Sequence, residues 1–270
     1  MSFLLSNDHA RMVENAEINT LKNRLERIKE IVGNPMEVDI NKFGHAVAFT
    51  VKNVPGPTFN MVKGMTELEI NLLDSIIDFY NAKGIPARFE VTPAQASKEL
   101  FRNLSVKGFY QSGFHTSLYG TLPPHKHRLK EPSGIKIEKM NIENFDAFGE
   151  IYTKGFNMPV SVKNHVTKNN RVLLNNEHWN FYLASVEGKP AGVGVLFCEN
   201  GIGTLAASAT LPEFRNKGVH TALIKERIEK ANELNCHLIV GQSAFGSVSQ
   251  RNMEKAGLKI AYTHAVWEEL

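Results

Sequence analysis

The run Arg215-Asn216-Lys217-Gly218-Val219-His220 joins a basic turn to a glycine where a strand-like stretch, Ile202 to Thr210, gives way to a helix reaching about Leu234. The first turn of a helix has N–H groups without intrahelical partners, and the macrodipole adds positive potential there. That combination suits a phosphate or pyrophosphate. Gly218 lets such a ligand come close to the main chain, while Arg215 and Lys217 add positive charge beside it. Thr221 and Ala222 keep the adjoining helix face small. A six-residue pattern alone is weak, because it recurs by chance.

Two further segments occur in a fixed order around it. Upstream lies the hairpin Ala184-Ser185-Val186-Glu187-Gly188-Lys189-Pro190-Ala191-Gly192-Val193-Gly194; downstream lies Ser247 to Leu258, a helix closing on Glu254-Lys255-Ala256-Gly257. Arg-x-x-Gly-x-(Gly/Ala), after a strand and a proline-containing loop, resembles the pyrophosphate loop of the GCN5-related N-acetyltransferase (GNAT) family. Here it reads Arg215, Gly218 and His220, with histidine replacing the last small residue. The downstream helix is similar to the family's last helix, and the hairpin to its second and third strands. The likeness covers Ile135 to Trp267.

The resemblance implies direct transfer of an acetyl group from acetyl-CoA to a primary amine, without a metal. It implies that the main chain around Ala209, Thr210 and Leu211 pairs with the pantetheine arm. Arg215, Asn216, Lys217, Gly218, Val219, His220 and Thr221 would surround the diphosphate, and Asn252 would reach the coenzyme from the last helix. Where many members have a tyrosine acid this chain has Met253, and the resemblance passes that role to Ser249, one turn earlier; a plain helix cap with Ser247 is the competing reading. Gly246 replaces an asparagine common in that loop, and Thr204 to Ser208 carries no carboxylate base. His178, Glu187, Tyr262 and His264 are the base candidates, though an amine already partly neutral would need none. Trp179 and Trp267 read as core aromatics more readily than as acceptor-pocket walls. The acceptor is a small-molecule or peptide amine. The alternative reading is an acyl-CoA-binding or regulatory module without turnover.

These residues need elements to hold them. Apolar spacing gives helices over about Asp8–Val32, Thr66 to Lys83-Gly84, Thr92-Pro93 to Leu104, Phe145–Phe156, Val162–Leu174 and Val248–Lys255. Strand-like runs include Val38–Ile40, Ala46–Val51, Arg88–Val91, a pair between Gly108 and Leu122, Phe181–Val186, Ala191–Phe197, His237–Val240 and Leu258–Trp267. Gly108 and Gly257 lie 149 positions apart, and the same shift lays residues 89–91 on 238–240 and 66–82 on 215–231. A diverged duplication follows, with Glu69 where the second copy has Gly218. The expectation is an α/β (α+β) chain of two tandem GNAT-like domains, each a mixed, mostly antiparallel twisted sheet flanked by helices. The boundaries are a degenerate copy at 1–122, a proline-bounded basic linker at 123–134, and the acetyltransferase domain at 135–270.

Composition narrows the rest. A 270-residue chain, 42% hydrophobic and 22% charged, can bury two ordinary cores. A net charge of +3 gives nucleic acid no special claim. Cys198 and Cys236 sit in apolar runs, too few for a disulfide framework or zinc site. No stretch has the length of a membrane span, and the apolar start is too short for a signal peptide, so a cytoplasmic setting is expected. A homodimer is left open. No P-loop run exists, and Gly192-Val193-Gly194 and Gly201-Ile202-Gly203 lack the third glycine of a dinucleotide fingerprint.

Overall fold

Ser6 accepts a hydrogen bond from the His9 N–H and so opens the first helix, α1 (Asn7–Lys29), which buries Val13, Leu25 and Ile28. The protein was described from a computed structural model, covering residues 5–54, 56–122 and 134–270. Next come the hairpin β1 (Val38–Phe43) and β2 (Ala46–Val51), then β3 (Met61–Lys63). The stretch expected as one helix from Thr66 is divided: a 3-10 segment, Glu67–Leu72, precedes α2 (Leu73–Asn81). β4 (Arg88–Val91) follows. The helix expected from Thr92 starts later, as α3 (Lys98–Val106), because Ser97 is the residue that caps it and the Thr92 hydroxyl donates instead to Glu14. β5 (Phe109–Thr121) is one continuous strand rather than two runs.

The second half contains β6 (Ile135–Lys139), α4 (Asp146–Gly155), a short 3-10 segment, α5 (Lys163–Arg171), β7 (Trp179–Val186), β8 (Lys189–Glu199) and β9 (Ile202–Thr210). A 3-10 turn at Pro212–Phe214 leads to α6 (Val219–Glu233), then β10 (Leu238–Ser243), α7 (Val248–Lys255) and β11 (Lys259–Glu269). β3 is too short to show alternation, whereas β6, Ile135-Lys136-Ile137-Glu138-Lys139, alternates apolar and charged residues although it is not among the expected strands.

Two compact units result: Met1–Ser117 with Ala261–Leu270, and Leu118–Ile260. The division therefore differs from a single cut at 123–134, a segment that apart from Gly134 lies outside the described residues. In the first unit the strand order is β1-β2-β3-β4-β11; Ala265–Glu268 of β11 pair antiparallel with Val91–Arg88 of β4, which satisfies the β4 edge. In the second the order is the end of β5 from Leu118, then β10-β9-β8-β7-β6. Among the strand pairs whose direction is described, β3–β4 and β9–β10 run parallel and the others antiparallel.

The second sheet has a core on each face. Ala191, Leu196, Leu223, Ile228 and Met253 pack on one side, and Phe148, Phe181, Val193, Val195 and Ala209 on the other. Gly192, Gly194 and Gly203 let α6 lie close to the strands; a Cβ on Gly192 would sit 2.6 Å from Val219 and one on Gly203 2.9 Å from Ala231. The Gly192-Val193-Gly194 run is thus a helix seat. Cys198 and Cys236 are buried free thiols, and among the described residues no helix is long and apolar enough to cross a membrane.

Candidate acyl-transfer site

β9 and β10 run parallel only from Ile202 opposite Leu238 to Leu205 opposite Gly241, although β9 continues to Thr210 and β10 to Ser243. The strands part at that point. Beside the parting, Thr210 Oγ1, Gln242 Nε2 and Ser243 Oγ are buried polar atoms with no hydrogen-bond partner. Such atoms are uncommon in folded proteins and mark places that a polar ligand can satisfy.

On its other edge β9 carries a bulge. Val195 faces Ala207 while Leu196 faces Leu205, so Ala206 is the extra residue. Ala206 and Ala207 consequently turn to the same face of the sheet. Beyond the bulge, Leu211 N–H donates to Ala191 O at 2.9 Å, toward β8. Alternation then points the peptide groups of Ala209 toward β8 too, and those of Ser208 and Thr210 toward the side of β10. Of the three residues expected to offer main-chain groups, Ala209, Thr210 and Leu211, the Leu211 N–H is bonded to β8.

The loop that follows ends on Gly218, whose φ of +84° is a left-handed conformation that glycine adopts without strain. Asn216, also left-handed at φ +62°, makes the turn before it. Gly218 occupies the N-cap position of α6, and no side chain caps the helix. The first-turn N–H groups of a 15-residue helix are thus left for another acceptor. Arg215 and Lys217 are exposed, and both have neighbours: Arg215 Nη2 donates to Gly155 O at 2.9 Å, and Lys217 Nζ lies 5.2 Å from the centre of the Phe214 ring. Arg215 is in this way a tie to the end of α4 as well as a positive charge at the loop. Gly155 allows that contact, since a Cβ there would be 2.9 Å from the Ala209 Cβ.

His220 bonds across to α7. Its Nδ1 lies 3.0 Å from Asn252 Nδ2 on α7; the amide can only donate, so the ring accepts at Nδ1 and carries its proton on Nε2. Burial, aided by the charge of Arg227, pulls the His220 pKa down to about 4, which keeps the ring neutral.

The sequence of the second unit matches the family model described as the acetyltransferase (GNAT) family over residues 145–256. Those residues are a GNAT domain. No curated protein matches the chain. Among solved structures, a GCN5-related N-acetyltransferase from Kribbella flavida has a TM-score of 0.66 at 14% identity, covering 96% of this chain and 95% of that one. One from Sphaerobacter thermophilus has a TM-score of 0.63 at 12% identity, covering 96% and 90%. A tandem GNAT protein from the clavulanic acid biosynthesis pathway has a TM-score of 0.63 at 12% identity, covering 93% and 94%. At these identities the likeness concerns the fold, and it extends across both units: the chain is built as two tandem GNAT-like domains.

The first unit has the same kind of fold, and its loop differs at the corresponding position. Glu69, at the place of Gly218, is buried and accepts from His45 N at 3.1 Å, Thr66 N at 3.0 Å and Thr66 Oγ1 at 2.7 Å. Thr66 Oγ1 caps the first-turn amide of Leu68, and the corner is thus filled by an internal carboxylate. Burial raises its pKa, but these bonds outweigh that and hold it below the usual value.

Within the GNAT domain, Met253 is core: a Cβ on Gly241 would sit 2.6 Å from its sulfur. The cap of α7 is Ser247, which accepts from Gln250 N at 3.1 Å, so Ser249 in the first turn is not the cap. The base candidates do not converge. His178 Nδ1 lies 2.8 Å from Cys198 O, six residues along β8 from Gly192 and so roughly 20 Å from the loop end of that strand. Glu187 is exposed in the β7–β8 turn, while Tyr262 and His264 are buried in the first unit. Trp179 packs on Phe197 and Trp267 on Phe101, both as core. Among the described residues no cluster could hold a metal ion.

Proposed function

We propose that the second unit is an acetyl-CoA-dependent N-acyltransferase acting on a primary amine of a small molecule or peptide. The observation that carries this reading is the uncapped start of α6 behind the left-handed Gly218. The main-chain N–H groups of Gly218, Val219, His220 and Thr221, with Asn216 and Lys217 beside them, would hold the diphosphate. Ser208 and Thr210, with the unpaired Thr210 Oγ1, would face the pantetheine arm. When bound, acetyl-CoA supplies an acetyl group already activated as a thioester. The chain's part is to orient it, to offer a main-chain N–H where negative charge grows on the carbonyl, and to deliver a proton to the departing sulfur. Ser249 is the group proposed for that proton, and Asn252 acts through His220 rather than directly. An amine arriving partly neutral needs no dedicated base.

A second reading, a coenzyme-binding module without turnover, draws on Met253, which fills the α7 position of the acid with a thioether. Incubation with acetyl-CoA and a panel of amines, following free thiol beside calorimetric binding, separates the two. Amine-dependent thiol release supports the enzyme. Tight binding with no release supports the module, and absence of binding overturns both.

A further inference from the structure

Arg227 on α6 is 1% exposed. Its Nε donates to Leu223 O at 2.8 Å, and its Nη1 donates to Val195 O at 3.2 Å and Ala207 O at 2.9 Å. Val195 and Ala207 are the residues that face each other at the bulge, where the ladder between β8 and β9 slips. A bulge leaves carbonyls without their ladder donors, and the guanidinium supplies them. Gly194 makes the space: a Cβ there would lie 3.0 Å from Arg227 Nε and 3.3 Å from Cζ. Burial lowers the Arg227 pKa to about 9, and among the described residues no carboxylate is paired with it. A buried cation without an acid partner is costly, and replacement by an apolar residue would remove that cost. That cost is borne directly behind the bulge, where the guanidinium bonds both facing carbonyls.

We infer that Arg227 is a positioning residue for acyl transfer, fixing the β9 bulge and polarising the Ala207–Ser208 peptide, whose N–H points to the side of β10. The C=O of Ala207 and the N–H of Ser208 belong to one planar, conjugated unit. A charge-assisted bond to the oxygen draws electron density from the nitrogen and makes the N–H a stronger donor. A stronger fixed donor is what a carbonyl gaining negative charge requires. The Leu223 carbonyl holds the guanidinium in register with the helix that begins at Gly218, so the anion loop and the polarised peptide are set by one element.

This inference rests on the acyltransferase reading of the second unit, and the experiment separates the two. Acetyl-CoA carrying ¹³C at the thioester carbonyl is bound to wild type, Arg227→Met and Arg227→Lys, and the carbonyl resonance is compared with that of the free compound. Circular dichroism and the Kd for free CoA report fold and coenzyme site. Wild type is expected to displace the resonance downfield, Arg227→Lys less, and Arg227→Met by half or less of the wild-type value, with CoA affinity kept. An equal displacement in wild type and Arg227→Met overturns the inference while leaving the acyltransferase reading intact. Should the methionine variant not fold, an undiminished displacement in Arg227→Lys overturns it in the same way. Wild-type protein that does not bind the labelled compound removes the acyltransferase reading and the inference with it.

Discussion

Asn252 on α7 donates to the ring of His220 in the first turn of α6, at 3.0 Å, and so ties the start of α6 to α7. The bond requires an unprotonated Nδ1.

A pH dependence follows from it. His220 has a pKa near 4 in the fold, below its ordinary 6.5, so unfolding takes up a proton between those values. The stabilisation from neutral His220 is complete above about pH 6.5 and is lost as pH falls toward 4. Denaturant titrations at both ends should show wild type losing on the order of 3 kcal/mol more than His220→Asn. Parallel losses in the two proteins would count against a neutral, bonded ring.

Gly218→Glu copies the first unit into the second. A side chain at φ +84° is strained by about 1 kcal/mol, and the new carboxylate competes for the helix-start amides. Calorimetry should show CoA binding abolished with the circular dichroism spectrum unchanged; wild-type affinity would refute the loop assignment.

The reverse position is structural. Glu69→Ala removes an acceptor shared by His45 N, Thr66 N and Thr66 Oγ1, and should cost about 1 to 3 kcal/mol in chemical denaturation. Because the folded pKa of Glu69 is depressed, its contribution is present above the unfolded value of about 4.5 and disappears as pH falls below that. Acidification should therefore narrow the gap between wild type and Glu69→Ala. A gap that widens would contradict the bonded carboxylate.

The two serines of α7 should behave oppositely. Ser247→Ala loses the cap on Gln250 N and should lower stability by about 1 kcal/mol. Ser249→Ala should leave stability near wild type and reduce turnover more than coenzyme affinity. An unaltered rate would leave Ser249 without a chemical role.

Much of this was legible in the sequence for a local reason. The β9–loop–α6 unit is contiguous, and its limits at Thr210 and Gly218 are written in turn residues and apolar spacing. The capping box of Thr66 and Glu69 was readable as well, although the 3-10 geometry it leads into was not. Contacts between distant residues left no such trace. Arg215 bonding to Gly155, 60 residues away, depends on packing of α4 over β9. The direction of the Ser208 and Leu211 N–H groups depends on strand register. A bulge at Ala206 lies in a run of small apolar residues that reads the same with or without it. Membership of Ala261–Leu270 in the first unit is set by pairing with β4, which no local pattern near Trp267 announces.

The most direct measurement is a titration of ¹⁵N-labelled protein with CoA, following backbone amides by NMR. The amides of Gly218, Val219, His220 and Thr221 should shift and saturate together, followed by those of Ser208 and Thr210, while those of Thr66 to Glu69 hold still. Saturable binding that leaves the four amides at the start of α6 unmoved would contradict the account, as would no binding at all.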